Sequence, residues 1–399
     1  MKHELIKMAL ILGLLSCVGP FAIDMYLPAL PLMAESFGAP VEAAQYTLMA
    51  FFIAFGVCQL FYGPASDMFG RKPPLYFGLI LFALASVGCA LAPTIEWLIA
   101  LRFVQGVGAA SVMSIPRAII RDRYTGTRAT RLMTTVMLVI SISPMLAPLA
   151  GSALIGPFGW PSVFIAVTLA TILSLLLAGF GLPETLAPAD RVPFRFDAML
   201  QAFRTLLCDA GFMGLTLIGG LGMASFFVFL STSSFLYTEY YGLSSTQFSL
   251  AFALNALGFF TTSQFAANLG ERFGPVPVVR WAVTGFVVSA SAMCALVAAG
   301  FDSFALLVAM LLLSNSFLGL VVPTSMVLSL DDHGPIAGTA AALGGALQML
   351  VGAVAIVLAS LVFDGTPLPL VASIAACGIL AKILSLVTLR RENGLVVES

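Results

Sequence analysis

Charged residues are scarce in this chain. Of its 399 residues, 18 are Lys or Arg and 19 are Asp or Glu, so the charged share is 9%. A soluble domain is typically about a quarter charged, and this chain therefore lacks the residues needed for a water-facing surface. Its net charge of −1 also provides no basic surface for nucleic acid.

Histidine and paired cysteine are equally scarce. The two histidines, His3 and His333, lie far apart, and the six cysteines are scattered singly without metal or redox spacing. We expect both histidines to be surface residues. An enzyme needs a cluster of nucleophilic, acid–base or metal-binding groups, so we predict no metal site, no bound cofactor and no enzymatic activity.

Long apolar runs fill the chain instead. The hydrophobic share is 60% and the mean hydropathy is +1.05. Runs of about 18 or more apolar residues are candidate membrane-spanning helices. Twelve such runs lie near residues 5–30, 42–66, 74–92, 96–120, 128–155, 160–182, 210–236, 244–269, 276–299, 303–330, 336–362 and 368–390. We predict an all-α membrane protein with twelve transmembrane helices.

Basic residues predict the orientation of these helices. The loops after odd-numbered helices carry acidic residues but no Lys or Arg, whereas the termini and the loops after even-numbered helices are basic. The basic set is Lys2, Lys7, Arg71, Lys72, Arg121, Arg123, Arg128, Arg191, Arg195, Arg204, Arg272, Arg390 and Arg391. Because Lys and Arg accumulate on the cytoplasmic side, we predict both termini in the cytoplasm. The acidic loop at Asp331 and Asp332 runs against this trend.

The helices divide six and six around the longest polar interval. We assign an N-terminal bundle to residues 1–182, a cytoplasmic linker to 183–209 and a C-terminal bundle to 210–399. Within the linker, residues 196–204 have the apolar spacing of a helix. That helix would either join the two bundles or lie along the membrane surface.

Two charges lie well inside predicted helices. Asp24 lies about seven residues before the outer end of helix 1, and Arg102 lies about five residues after the outer start of helix 4. At 1.5 Å per residue, both lie on the order of 10 Å below the outer surface. A charge inside a span costs roughly 2.5–3.5 kcal/mol unless it is paired or hydrated, so we expect both to face the protein interior.

Two interpretations of Asp24 and Arg102 are open. In the first, Asp24 accepts a proton. An apolar surrounding favours the neutral carboxyl group, while a nearby cation, either Arg102 or a cationic substrate, favours the carboxylate. In the second, the two residues form a structural ion pair between helices 1 and 4. We favour proton coupling, because a buried ion pair stabilises a protein poorly once desolvation is counted.

A charged loop with two glycines follows helix 2, in the segment Gly63-Pro-Ala-Ser-Asp67-Met-Phe-Gly70-Arg71. Gly63 would permit close helix packing and Gly70 a tight turn. Asp67 could cap or face the positive N-terminal end of another helix, and Arg71 could pair with Asp122 at the end of helix 4. We predict that these five residues form a breakable latch between parts of the bundle.

Helix 5 and six scattered side chains are the remaining candidates for functional residues. Pro144 and Pro148 would kink helix 5 and Gly151 would permit intimate packing, which favours a helix at a rocking interface. Candidate residues for a substrate cavity are Tyr26, Gln105, Phe226, Phe229, Asn255 and Gln348. Interhelical hydrogen bonds explain the polar members equally well, and half of the aromatic stretch around Phe226 would face lipid.

The arrangement resembles the major facilitator superfamily. The loop after helix 2 matches its signature G-x-x-x-D-x-x-G-R-[KR]. Residues 270–275, after helix 8, form a partial copy of the same signature. Residues 101–106, Leu-Arg-Phe-Val-Gln-Gly, resemble the helix-4 motif of its drug/proton antiporters. Residues 143–152 resemble the helix-5 antiporter motif, with Ala147 where that motif has glycine. The resemblance implies two pseudo-symmetric six-helix bundles.

The first helix resembles one particular group within this superfamily. Residues 22–31, Ala-Ile-Asp-Met-Tyr-Leu-Pro-Ala-Leu-Pro, are similar to the first helix of the Bcr/CflA group of bacterial multidrug exporters, which includes bicyclomycin and chloramphenicol/florfenicol resistance proteins. The resemblance implies that Asp24 and Arg102 serve proton-coupled efflux. It also implies that the latch at Asp67 and Arg71 stabilises an outward-open state, a role that does not carry over to the second copy.

These features together predict a proton-coupled antiporter of the bacterial cytoplasmic (inner) membrane. It would export drugs or other small amphipathic compounds by alternating access, with protons as the coupling ion. We expect a monomer in the lipid bilayer. The alternatives are a proton-coupled symporter and an exporter of a small metabolite such as an amino acid.

Overall fold

The structure is a computed structural model that describes residues 2–124, 126–193 and 195–395. Within these residues the secondary structure is entirely helical. Twelve helices are long and apolar enough to cross a membrane, which confirms the predicted all-α membrane fold. The side chains of Lys2, His3, Lys7, Arg128, Arg390 and Arg391 lie outside the described set, and the cytoplasmic location of the termini stays a prediction.

The chain forms two compact units, Met1–Arg195 and Phe196–Ser399, and the boundary falls inside the interval assigned to the linker. The helices of the first unit are α1 (Lys2–Asp24), α2 (Leu30–Phe37), α3 (Val41–Phe69), α4 (Lys72–Ala90), α5 (Ile95–Arg123), α6 (Gly126–Phe158) and α7 (Pro161–Gly181). Those of the second unit are α8 (Phe196–Cys208), α9 (Ala210–Phe235), α10 (Ser245–Phe273), α11 (Pro275–Ala298), α12 (Phe304–Asp331), α13 (Ala337–Val362) and α14 (Pro367–Leu395).

Proline interrupts the first membrane span. After α1 ends at Asp24, a 3₁₀ turn covers Leu27–Ala29 and α2 continues the span. Pro28 lacks the N–H that would bond the Asp24 carbonyl four residues earlier, and its ring crowds that carbonyl. The predicted boundary of 5–30 is therefore corrected. Among the described side chains the span covers Met8–Phe37, so Asp24 lies at a break thirteen residues before the end of the span, rather than about seven.

Glycine lets α5 lie directly against α3 and α4. A Cβ atom on Gly108 would lie 2.5 Å from the carbonyl oxygen of Gly78, and a Cβ atom on Gly106 would collide with the carbonyl of Phe51. Membrane helices associate through such close van der Waals contacts, because lipid provides no hydrophobic driving force between them. These contacts hold α5 firmly against both neighbours in the first unit.

In the second unit, apolar side chains from four helices form a shared core. Fully or almost fully buried members are Leu215, Ile218, Val279, Val283, Val321 and Leu389. A π-helical segment, Leu236–Tyr240, continues α9. The helix predicted over 196–204 is present as α8, and most of its residues are exposed.

Replacing Gly108 with Val tests the contact between α4 and α5. The added methyl groups would push the two backbones apart, so we expect a loss of about 1–3 kcal/mol of stability. The measurement is the apparent melting temperature of the purified protein, followed by size-exclusion chromatography after heating. Gly156→Val is the control, because no atom lies within 4 Å of a Cβ atom there. Equal melting temperatures for the two variants would contradict the prediction.

Candidate functional site

Arg102 lies at the break in the first span. The residue is fully buried, and its Nη1 donates a hydrogen bond to the carbonyl of Ala22 at 3.1 Å. Ala22 belongs to the last turn of α1, where the helix dipole carries its negative end and a cation is favourable. The guanidinium therefore caps α1, and this contact offsets part of the cost of burying its charge.

Two aromatic rings enclose the same guanidinium. Its carbon lies 4.2 Å from the ring centroid of Tyr26 and 4.5 Å from that of Phe51. Cation–π contacts of this kind contribute up to about 2 kcal/mol when they are shielded from water. Arg102 is therefore held between α1 and α3 as well as by its own helix.

A chain of hydrogen bonds leads from Arg102 to α4. Arg102 donates to Oε1 of Gln105 at 2.5 Å, and Nε2 of Gln105 donates to Oγ of Ser86 at 2.7 Å. The hydroxyl of Tyr26 lies 3.1 Å from Oγ1 of Thr47. Tyr26 and Gln105, two of the predicted cavity residues, are thus fully enclosed and bonded, and their cavity role stays a prediction.

Asp24 has no comparable partner. The residue is 4% exposed, and no described residue forms a hydrogen bond or ion pair with it. The ion pair with Arg102 considered above is absent. Nη1 of Arg102 donates to Ala22 and Gln105, while its Nε and Nη2 have no hydrogen-bond partner among the described residues. An ionised carboxylate in such a position is uncompensated, whereas a protonated carboxyl group is far less costly to bury.

Helix α6 approaches the break directly. A Cβ atom on Gly151 would collide with the carbonyl oxygen of Met25, the residue after Asp24. The close packing expected at Gly151 is therefore present, and it lies beside the candidate proton site. Pro144 and Pro148 are buried within α6, which continues through both as one helix.

Arg71 forms the centre of the charged loop after α3. Its Nε and Nη2 donate to the two carboxylate oxygens of Asp122 at 2.7 and 3.0 Å, and its Nη1 donates to Asp67 and, at 2.8 Å, to Ser66. Bidentate pairing of Arg with a carboxylate is strong and geometrically specific. Gly70 has a φ of +95°, a region that favours glycine. The expected contact between Arg71 and Asp122 is present, while its action as a latch stays a prediction.

Glu184 is a member of this network that the sequence did not reveal. Its carboxylate accepts four backbone hydrogen bonds of 2.9–3.1 Å, from the N–H groups of Arg71, Lys72, Thr185 and Leu186. Burial opposes ionisation, but these N–H donors prevail and hold the pKa of Glu184 below its usual value. The only available signal was an acidic residue just after helix 6, and nothing in its spacing linked it to the loop at Arg71.

Two details of the loop differ from expectation. No described atom lies within 4 Å of a Cβ position on Gly63, so this glycine makes no close helix contact there. Asp67 near the end of α3 pairs with Arg71, four residues later and beyond the turn at Gly70, and its carbonyl accepts from the N–H of Val192 at 3.1 Å. This pairing replaces the predicted contact with a helix N-terminus.

The predicted aromatic cavity residues pack against other rings in the second unit. Phe229 stacks on Phe252 with centroids 5.5 Å apart, and Phe226 stacks on Phe259 at 5.6 Å. Both residues are buried. We expected half of this aromatic stretch to face lipid. Phe226 and Phe229 do not, because protein encloses both side chains.

Asn255 and Gln348 also lie within the second unit. Asn255 is fully buried and its Nδ2 donates to the carbonyl of Ala251 at 3.0 Å, while its Oδ1 has no hydrogen-bond partner among the described residues. Gln348 is 8% exposed and lies beside Gly219. Their assignment to a substrate cavity stays a prediction.

His333 is not the surface residue that was expected. It is 9% exposed, stacks on Phe212 with centroids 5.5 Å apart, and places Nε2 3.4 Å from a carboxylate oxygen of Asp209. Sequence distance concealed this contact, because α9 begins beside the loop between α12 and α13. Within the described part of the chain, no group of three potential metal ligands occurs.

The two helical units and their twelve candidate spans define a multi-pass membrane protein. The model of the Major Facilitator Superfamily matches residues 12–386. The chain therefore belongs to this superfamily, whose members are transporters rather than enzymes, as the loop and helix motifs predicted.

Curated relatives cover most of the chain. It is 33% identical to the "Uncharacterized MFS-type transporter YdgK" of Bacillus subtilis, over 88% of each chain. It is 30% identical to the "Bicyclomycin resistance protein homolog" of Haemophilus influenzae over 93% of each chain. It is also 30% identical to "Multidrug resistance protein D" of Escherichia coli, over 87% of this chain and 86% of that protein.

Solved structures share the fold. The xylose transporter XylE from E. coli has a TM-score of 0.73 at 14% identity, covering 96% of this chain and 97% of its own. The human organic anion transporter MFSD10 has a TM-score of 0.67 at 22% identity, covering 96% and 99%. At these identities the likeness concerns the fold alone.

Replacing Arg102 with Lys tests the cap at the break. Lysine keeps the charge but loses the planar group that stacks between two rings and bonds two acceptors. We expect a loss of about 2 kcal/mol of stability, measured as a lower apparent melting temperature. Arg204→Lys, at an exposed position on α8, is the control. A melting temperature unchanged by Arg102→Lys would show that the stacked geometry contributes little.

Replacing Glu184 with Gln tests the backbone anchor of the charged loop. Because the folded-state pKa of Glu184 lies below its usual value of 4.5, its ionised form stabilises the fold above pH 4.5. That contribution is lost as the pH falls through the lowered pKa. We expect wild type to melt higher than Glu184→Gln at pH 7, and the difference to shrink below pH 4.5.

Thermal unfolding of the detergent-purified protein between pH 7 and pH 3.5 makes this measurement. Glu271→Gln, at an exposed position of the second unit, is the matched control. A difference between wild type and Glu184→Gln that is constant across this range would argue against an ionised anchor.

Proposed function

We propose that this chain is a proton-coupled antiporter that exports drugs or other small amphipathic compounds from the cytoplasm by alternating access. The observation that carries the proposal is Asp24, a buried carboxyl group without a partner at the break in the first span. The printed names of two relatives, a bicyclomycin resistance protein homolog and a multidrug resistance protein, support drugs as the substrate class.

Because Asp24 has no partner among the described residues, its protonated and ionised states place different demands on their surroundings. In the protonated state the carboxyl group is neutral and needs no counter-charge inside the membrane. In the ionised state it needs water or a bound substrate to compensate its charge. Arg102 does not satisfy this need in the structure, because it forms no ion pair with Asp24 and directs its Nη1 to the Ala22 carbonyl. Proton and substrate therefore compete at the break.

Competition between proton and substrate at Asp24 couples proton entry to drug export. Protonation of Asp24 from the outside favours release of the drug and return of the empty carrier. Deprotonation toward the cytoplasm favours drug binding. A cycle of these steps uses the inward flow of protons to move the drug outward, which is antiport by alternating access.

The charged loop supplies an element that can hold one conformation. Arg71 and Asp122 join the ends of α3 and α5, and Glu184 ties the segment after α7 to the same loop. All of these bonds lie within the first unit. We propose that this network stabilises one state of the transport cycle, and that Gly151, with Pro144 and Pro148, lets α6 move against the break.

We place the protein in the bacterial cytoplasmic membrane as a monomer, with both termini in the cytoplasm. The distribution of Lys and Arg between the even and odd loops supports this orientation. The bacterial origin of the named relatives supports the membrane.

Proton release from purified protein tests the coupling. We expect wild type in lightly buffered detergent solution to release protons when chloramphenicol or another transported drug is added, because the drug favours ionised Asp24. Asp24→Asn should bind without release and should lose pH-driven efflux while still reaching the membrane. Asp190→Asn, at an exposed position of the linker, should behave as wild type.

The opposite results are equally clear. Normal drug resistance and normal proton release from Asp24→Asn would exclude Asp24 as the proton carrier. Drug transport by wild type without any proton movement would exclude coupling to protons altogether.

A further inference from the structure

Arg117 is a basic residue inside a span that takes no part in the contacts described so far. It lies six residues before the end of α5 (Ile95–Arg123), which places it about 9 Å along the helix from that end at 1.5 Å per residue. The side chain is partly buried. No described residue forms a hydrogen bond, ion pair or ring contact with it.

Four other basic side chains that lie in the described spans or at their ends have partners. Arg71 and Arg102 have the contacts given above, and Arg280 and Lys382 are bonded in the second unit. The partners of the last two are the Leu389 carbonyl at 2.6 Å and Oγ1 of Thr284 at 2.7 Å. A charge kept inside a membrane span without a partner is expensive, and such residues mark ligand pathways by default.

Further polar groups lie close to Arg117 on the same helix. Ser114 is three residues earlier and therefore on the same face of α5. Its side chain is partly buried, and its hydroxyl has no hydrogen-bond partner among the described residues. Pro116 lacks an N–H, so the Val112 carbonyl four residues earlier loses its helical bond. This turn of α5 thus carries a guanidinium and a hydroxyl side by side, neither of which has a partner among the described residues.

Arg117 lies on the face of α5 that packs against α3. A Cβ atom on Gly106 of α5 would lie 3.0 Å from Cβ of Ala54 on α3. Counting equal rises along the two parallel helices brings Arg117 level with the turn of α3 that contains Gly63. On the face of α3 that meets α5, the residue at this level is the small, partly buried Ala65, eleven residues after Ala54.

We propose that Arg117 and Ser114 form a binding subsite for a carboxylate, or an equivalent oxyanion, on the exported compound. A guanidinium presents two parallel N–H donors that match the two oxygens of a carboxylate, and the serine hydroxyl adds a third donor. The proposal rests on the export function proposed above and specifies its substrate class. Amphipathic compounds that carry a carboxylate are preferred over their neutral analogues.

A pair of fluorescent probes isolates the carboxylate. Dansylglycine and its methyl ester share one apolar fluorophore and differ in a single negative charge. Charge-assisted hydrogen bonds contribute about 1.5–3 kcal/mol, which corresponds to a preference of roughly 10- to 100-fold for the acid. We expect this preference in the detergent-purified full chain, measured by titrating dansyl fluorescence at pH 7.5.

Variants assign the preference to the two side chains. Arg117→Gln should bind the acid and the ester equally. Arg117→Lys should keep part of the preference, because it retains the charge without the paired donors, and Ser114→Ala should reduce the preference several-fold. Arg204→Gln removes an exposed basic residue from α8 and should leave the preference unchanged.

A lipid phosphate offers the same oxyanion chemistry, so the titration is repeated with phosphatidylglycerol added to the micelles. If Arg117 binds the exported compound, the preference for the acid persists. Loss of the preference on adding this lipid, in wild type alone, would assign Arg117 to a headgroup and overturn the proposal. Equal binding of the two probes by wild type, or an unchanged preference in Arg117→Gln, would overturn it as well.

The same variants distinguish a failure of this subsite proposal from a failure of the proposed export mechanism. Arg117→Gln should still release protons when the neutral ester is added, because Asp24 is intact. Asp24→Asn should lose that release yet keep its preference for the acid. If Arg117→Gln also loses proton release with the ester, Arg117 serves coupling and does not select the substrate.

Discussion

Inside a membrane no water compensates a broken helix or a buried charge, and the first span of this protein contains both. Pro28 ends α1 at Asp24, which exposes the negative end of a helix in the hydrocarbon region. Arg102 satisfies that end, and the fit of Gly151 against Met25 closes the other side. In the resulting cap Nη1 of Arg102 faces the helix end, and Asp24 is left without a partner among the described residues. In that arrangement the protonated carboxyl group is the less costly form to bury.

Helix α5 connects this break to the rest of the first unit. Near one end it carries Arg102, and at the other end Asp122 pairs with Arg71. Between them, Gly106 and Gly108 bring its backbone against α3 and α4, so the two charged regions belong to one tightly packed helix. The break and the charged loop therefore lie at the two ends of one element that has defined contacts at both.

The residues that were predicted correctly are charged residues whose burial or pairing is required by the membrane environment. A charge inside an apolar run, as at Asp24 and Arg102, must face protein, and an Arg in a glycine-containing loop must find an acid, as Arg71 finds Asp122. The errors arise where the partner is remote in sequence. Glu184 and His333 meet their partners only because helix ends converge, and Gly63 was assigned close packing without knowledge of which face of α3 is covered. Arg117 escaped notice because a helix end rich in arginine obscured it.

The sequence by itself determined the class of this protein, its twelve spans and its superfamily, because apolar length, charge scarcity and motif spacing are properties of the chain that need no partner. Only the tertiary structure decided what each charge touches. Whether Arg102 pairs with Asp24 or with the end of α1 depends on the direction of one side chain between two helices. That direction is set by the packing of Tyr26, Phe51 and Gln105 around it, and such packing exists only once the helices have come together.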